Sequence, residues 1–345
     1  MKFSFKNDYS EMTHPKILDA LSGVGNKQFE GYGLDEYSVA AAMHICKILK
    51  DPFADVHFIP GGTHANLVVI ASALRPHEAV IAPKSGHIFV HEAGAVEATG
   101  HKVCTREGVN GKLSAADIES VLAEHPGDEH MVKPRLVYIS LSTECGTVYT
   151  KAELAAITLC CRNNGLYLYI DGARLSNALV SGSGDLTLET MSGLADAFYI
   201  GGTKNGLLFG EALVIVNPLL KADFRYLMKQ RGGLLAKGFL LGIQFRAYLE
   251  DGLYIELARH ANGMATRLRE GLRAAGVGLF AENDTNQVFL YARADALRVL
   301  DERVLFERWG PEGDEGAPIR FVTSWATTTE EVDSVLGFFA AEATE

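Results

Sequence analysis

No stretch of this chain approaches the roughly 18 uninterrupted apolar residues that a membrane-crossing helix requires. Its opening, MKFSFKNDYSEMTHP, also lacks the apolar centre of a secretory signal, so a cytoplasmic protein is expected. Cysteine is sparse: Cys46, Cys104, Cys145, Cys160 and Cys161 are odd in number and show no C-x-x-C spacing. Reduced, mostly structural thiols are expected, and no metal site. Basic residues are outnumbered, 32 Lys and Arg against 43 Asp and Glu, for a formal charge of −11. That balance argues against nucleic acid and anionic membranes as partners, because both need a basic face. The dinucleotide pattern G-x-G-x-x-G and the P-loop G-x-x-x-x-G-K-[ST] are absent, as are internal repeats and low-complexity segments.

Apolar residues make up 48% of the 345 positions and charged ones 22%, with 35 glycines. A large buried core and two folding units are expected. Short β-type runs at 56–59, 79–82, 101–105, 135–141, 166–171, 197–201 and 210–216 alternate with helical periodicity at 35–50, 64–74, 114–124 and 151–164. Ser114 with Asp117 is a box-like helix start. Alternation of this kind predicts an α/β fold, a mainly parallel sheet wrapped by helices, whose ligands sit at the carboxyl ends of the strands. Beyond about 220 the texture changes: helical segments at 219–229 and 235–275, strands at 286–292 and 303–309, an acidic turn GPEGDEGAP, the strand IRFVTSW and a last helix from Thr329. The expected division is an arm and active-site segment over 1–34, a large α/β domain over 35–240 and a small C-terminal α+β domain over 241–345.

Three strand ends carry chemistry. In AFYIGGTKNGLLFGEALVIV, Lys204 occupies a glycine-rich turn between two apolar runs, where its amine is positioned and dehydrated. In LYLYIDGARLSN an apolar run ends in the carboxylate of Asp171. In VHFIPGGTHANL a strand meets Gly61, Gly62 and Thr63 as a helix begins, and free N–H groups of a first helical turn favour an anion. A lysine for a Schiff base, an acid against a ring nitrogen and a phosphate cradle are what pyridoxal phosphate (PLP) needs. Each has a plainer reading: a turn lysine, a helix-capping aspartate, a simple connection.

Seven motifs in order, GYGLDEY (31–37), PGGTHAN (60–66), SGHIFVHEAGA (85–95), LYIDGARL (168–175), GGTKNG (201–206), KQRGGLLAKG (229–238) and IRFVTSW (319–325), extend over most of the chain. In them the chain resembles the threonine aldolase group of PLP-dependent type I fold enzymes, within the β-eliminating lyases. The resemblance implies that Lys204 holds the cofactor, Asp171 bonds its ring nitrogen, His87 stacks on the ring, and Arg174 and Arg320 grip the substrate carboxylate with their fixed forks of donors. It places Thr203 beside the cofactor, Asn7 near the carboxylate, Tyr32 within reach of a neighbouring subunit's site, and Lys229 and Lys237 on phosphate. A homodimer or homotetramer with shared sites is implied. His91 and His101 match no motif role, and Glu92 is expected to orient a neighbour.

Two departures stand out. Where the family carries a histidine near the substrate hydroxyl, this chain reads Ser142-Thr143-Glu144-Cys145-Gly146, and an arginine position after the GG of KQRGG holds Leu235. The implied reaction is cleavage of the Cα–Cβ bond of a β-hydroxy-α-amino acid such as threonine or allo-threonine, with Glu144, His87 or a water as the base. β-Elimination or transamination on the same cofactor, and a catalytically silent relative, are the alternatives.

Overall fold

The computed structural model describes residues 2–313 and 316–340; Asp314 and Glu315 of the acidic turn lie outside the described residues. In chain order the strands are β1 (Phe3–Ser4), β2 (Asp55–Ile59), β3 (Glu78–Pro83), β4 (Val103–Arg106), β5 (Lys133–Ser140), β6 (Tyr167–Asp171), β7 (Ala197–Gly201) and β8 (Glu211–Ile215). The second half adds β9 (Gln287–Ala292), β10 (Val304–Leu305), β11 (Glu307–Arg308) and β12 (Ala317–Val322).

Seven strands form the main sheet in the order β2-β8-β7-β6-β5-β3-β4. Neighbours are parallel except at β8, which runs antiparallel to both β2 and β7. The carboxyl ends of six strands therefore share one edge with the amino end of β8, and Gly201 pairs with Glu211 there. Strand side chains alternate between faces, so Val137, Ile139, Leu168, Ile170, Phe198 and Ile200 enter one core. Leu136, Tyr138, Tyr169, Tyr199 and Leu213 enter the other. Both faces are covered by helices, which is why these strands read as continuous apolar runs rather than alternating ones.

Local chemistry explains most helix starts. Ser114 and Asp117 form the expected capping box, and Thr150 with Glu153 forms another. Asp35 caps the helix Glu36–Leu49 through the amides of Tyr37 and Ser38. The helix expected over 235–275 is two, Phe239–Leu249 and Leu253–Ala274, because Asp251 (φ 56°) and Gly252 (φ 75°) adopt left-handed backbone between them. Pro15–Gly23 is a helix that periodicity did not predict, begun by proline at its first position. The run expected at 303–309 divides between sheets: β10 pairs with β1, and β11 pairs with β12 in the antiparallel sheet β11-β12-β9.

Packing divides the chain elsewhere than at 240/241. Phe245, Tyr248, Leu253 and Leu257 belong to a core of the large sheet. Ala265, Leu268 and Leu272 join Val288, Ile319, Phe321 and the N-terminal Phe5 in the small unit. The change of core thus falls within the long helix Leu253–Ala274. No helix among the described residues is long and apolar enough to cross a membrane.

Candidate active site

A cavity of about 360 Å3 opens at the carboxyl edge of the main sheet. Gly61, Gly62, Thr63, His87, Glu144, Asp171, Arg174, Thr203 and Lys204 all line it. The loops after β2, β3, β5, β6 and β7 bring together residues that lie far apart in sequence.

Asp171 ends β6 and is fully buried among donors. Tyr138 OH donates to its Oδ2 at 2.7 Å and Asn66 Nδ2 to the same oxygen at 3.0 Å. Tyr199 OH and the Ala173 amide donate to Oδ1, the latter at 3.0 Å. Burial alone would raise its pKa, but the nearby His87 charge and the Tyr199, Asn66 and Tyr138 donors outweigh that and hold it below the usual carboxylate value. Tyr169 OH donates to Asn66 Oδ1 at 2.9 Å, fixing which way the amide points.

Lys204 sits in the turn after β7 and is half-buried; no hydrogen bond from its Nζ is found among the described residues. Burial, then the Arg174 charge, lowers its pKa against the opposing pull of Asp8, Asp171 and Glu144. A lysine so placed is neutral more often than in water, and its free amine is a nucleophile. Glu211, the first residue of β8, closes the same turn by accepting from Gly202 N (2.8 Å) and Thr203 Oγ1 (2.7 Å). Burial pushes its pKa up to about 7. Thr203 Oγ1 in turn accepts from Gly210 N at 2.9 Å, so this hydroxyl is committed to the turn.

The anion cradle is built of backbone. The helix Gly62–Ala73 starts at Gly61 with no side-chain cap, which leaves the amides of its first turn unclaimed beside the cavity. A Cβ at Gly62 would stand 2.8 Å from Tyr199 OH, so glycine is required by space there. His87 Nδ1 lies 2.7 Å from Glu92 Oε1, and a carboxylate only accepts, so Nδ1 carries the hydrogen.

Glu144 follows β5. Ser140 Oγ donates to its Oε1 at 3.0 Å, while Oε2 is buried without a partner among the described residues. Burial, then Asp171, raises its pKa.

Other expected residues are distributed differently. Arg174 lines the cavity but is clamped by Asp8, Nε to Oδ2 at 2.7 Å and Nη2 to Oδ1 at 3.0 Å. Arg320 does not line the cavity. It bonds Gln287 Oε1 at 2.9 Å and Glu307, and stacks 4.6 Å from the Trp309 ring centre. Asn7 spends its Oδ1 on a turn, accepting from Tyr9 N and Ser10 Oγ. Its neighbours Asp8 and Tyr9 are the ones that reach the site. Tyr32 and Lys229 lie together, 4.4 Å from Nζ to ring centre, and with exposed Lys237 they fall outside this cavity. Tyr32 instead lines a separate apolar groove of about 620 Å3, together with Leu235.

Residues that sequence reasoning missed are Asp8, Tyr138, Tyr199, Glu211 and His91, whose ring centre is 5.5 Å from that of His87. One signal was available: the three central strands end YIS, YID and YIG, each with a tyrosine two positions before its last residue. Equal spacing from the sheet edge puts the three tyrosines on one face, where their hydroxyls converge on Asp171 and Asn66.

A doubly covered, mostly parallel sheet with a cavity-lining lysine and an ionised aspartate at its carboxyl edge defines the type I fold of PLP-dependent enzymes. A β-eliminating lyase profile matches residues 16–295, and the chain belongs to that family, a family of enzymes. The low specificity L-threonine aldolase of Pseudomonas sp. (strain NCIMB 10558) is 35% identical over 95% of this chain and 94% of its own length. That of Pseudomonas aeruginosa is 33% identical over the same shares. The solved structure of Leishmania major threonine aldolase is 48% identical, covers 99% of both chains and superposes with a TM-score of 0.97. Thermus thermophilus aspartate aminotransferase, 15% identical over 99% of this chain and 91% of its own with a TM-score of 0.72, shares the fold.

Proposed function

We propose that this chain is a PLP-dependent lyase that cleaves the Cα–Cβ bond of β-hydroxy-α-amino acids, threonine or allo-threonine, releasing glycine and acetaldehyde. The observation that carries the reading is the pairing, in one cavity, of a half-buried Lys204 amine that makes no hydrogen bond among the described residues with a buried Asp171 carboxylate held ionised by its donors. Two threonine aldolases matching nearly the full length support the substrate class.

The residues fit the cofactor. Lys204 would carry it, Asp171 would accept from its ring nitrogen, and the amides after Gly61 with Thr63 would take its phosphate. When bound, PLP supplies an electron sink for the pair released from the breaking bond. The remaining work belongs to the chain. Arg174, held by Asp8, presents Nη1, for which no partner is found among the described residues, to a substrate carboxylate. Glu144 offers the orphan Oε2 to the β-hydroxyl proton, and its raised affinity for protons suits a general base.

A homo-oligomer belongs to the same reading. Tyr32, Lys229 and Lys237 lie away from this chain's own cavity, on or beside a groove whose wall includes Val39, Met43 and Leu241. A second copy covering that groove would bring them toward the neighbouring site.

A panel of β-hydroxy amino acids, assayed for both glycine and aldehyde, tests the reaction. Equal yields of the two support aldol cleavage. Pyruvate with ammonia, or amino-group exchange without glycine, refutes it.

A further inference from the structure

Glu92 has a side chain that exposes no surface, and the chemistry above leaves it unused. Three facts define its setting. Its Oε1 receives His87 Nδ1 at 2.7 Å. The same oxygen accepts from Asn66 Nδ2, also at 2.7 Å. That Asn66 nitrogen also donates to Asp171 Oδ2, and the amide is oriented by Tyr169. One amide thus bridges two carboxylates, one facing His87 and the other closing the cavity.

A carboxylate on one imidazole nitrogen fixes the tautomer and makes the other nitrogen more basic. The Glu92 side chain has no freedom to leave, because Asn66 holds the oxygen that His87 uses. We propose that Glu92, locked by Asn66, is a positioning residue that keeps His87 in the Nδ1–H form and leaves Nε2 as the nitrogen that exchanges protons with substrate. In that exchange a substrate proton other than the β-hydroxyl one, which Glu144 takes, passes to Nε2 and later returns, while the hydrogen on Nδ1 stays there and is accepted by Glu92 Oε1. The inference rests on the lyase reading for its reaction, but its geometry is independent of it.

The charged and titratable groups around His87 are Glu92 and His91 on its own segment, Asp171 at the end of β6, Glu144 after β5 and Lys204 after β7. Burial lowers the affinity of His87 for a proton, and the Glu92 hydrogen bond and the Asp171 charge reverse that, so its net pKa is raised. Glu92→Gln preserves shape and both accepted hydrogen bonds but removes the charge. An opposite charge in contact moves a pKa by about one to three units, and the His87 midpoint should fall by that amount.

Histidine NMR on the full chain, with His87 assigned by His87→Gln, reads this without substrate. Expected are an Nδ1-protonated neutral ring in the unaltered chain, a midpoint that falls in Glu92→Gln, and an acid limb of glycine release that moves down in step while KM changes little. An Nε2–H ring in the unaltered chain overturns the proposal even if the variant fails to fold. So does a midpoint that stays put, or a pH–rate limb that does not follow it. A chain with no lyase activity would refute the reaction reading alone, since tautomer and midpoint are still measured.

Discussion

Arg174 and Asp8 form a buried ion pair whose side chains are 10% and 0% exposed, so breaking it should be costly from either side. Asp8 Oδ2 accepts from Arg174 Nε and from Asn286 Nδ2 at 2.9 Å, and Oδ1 accepts from Arg174 Nη2. Burial would raise the Asp8 pKa, but the Arg174 and Lys204 charges and these donors hold it below the usual value. Removing one partner leaves a charge uncompensated, which costs about 3–5 kcal/mol. Asp8→Asn and Arg174→Met should each approach the lower end, because Asn286 and solvent entering the cavity soften the loss. In the double variant neither orphan charge remains. It should therefore be at least about 2 kcal/mol more stable than the sum of the singles predicts. Urea unfolding of the four chains measures the coupling. The same pair sets the substrate fork, so Asp8→Asn should raise KM more than it lowers kcat. Additivity within about 0.5 kcal/mol, the spread seen for independent sites, would refute the reasoning and make the pair a surface-like contact.

Lys204→Ala should fold and still bind PLP weakly but lose the bond that borohydride traps; covalent trapping in the variant would place the attachment elsewhere. Glu144→Gln keeps size but removes the base, so aldol cleavage should drop roughly a hundred- to ten-thousand-fold while α-proton exchange on glycine survives; unchanged cleavage removes Glu144 from the mechanism. Glu211, with its pKa raised to about 7 by burial, gives stability that is fully present below the ordinary carboxylate value and lost as pH rises through 7. Glu211→Gln mimics its protonated form and should flatten that loss, a gain on the order of 2–4 kcal/mol above pH 7 in denaturation midpoints; a variant less stable than the parent at pH 8 would contradict this.

The parts of the site that could be read from sequence are those whose geometry is local. Lys204, Asp171 and Gly61-Gly62 each sit where a β-run stops and a turn begins, and a mostly parallel sheet sends such ends to one edge. Glu211 escaped that logic because β8 is antiparallel, which brings its first residue, not its last, to the functional edge. A charged residue opening an otherwise apolar strand was the available clue. Asp8 escaped because its partner is 166 residues away, and no local pattern reports a pairing of that span. Asn7 was expected near the substrate carboxylate; its Oδ1 serves a turn, and Asp8 beside it holds Arg174, in a segment without periodicity to set the register. The same limit applies to the fold. β1 and β10 are two residues each and exist through their mutual pairing, which brings the N-terminus to the small unit.

Two of the acidic groups that line the cavity, Asp171 and Glu144, argue for their separate roles by their surroundings. Asp171 receives four donors and is held ionised. Glu144 receives one, from Ser140, and keeps an oxygen buried and free. Burial acts on both in the same direction, so the difference lies in the His87 charge and the donors at Asp171, and in the Asp171 charge that further raises Glu144. Each hydrogen bond to a charged acceptor contributes about 1.5–3 kcal/mol, and a surplus of three is enough to send the two pKa values opposite ways. A group that must stay charged through a reaction needs its donors in place beforehand, whereas a group that must take a proton needs a vacant oxygen. The folded chain supplies the first at Asp171 through three tyrosine-bearing strands that end in register. It supplies the second at Glu144 by setting that carboxyl on a loop where, among the described residues, a serine alone donates to it.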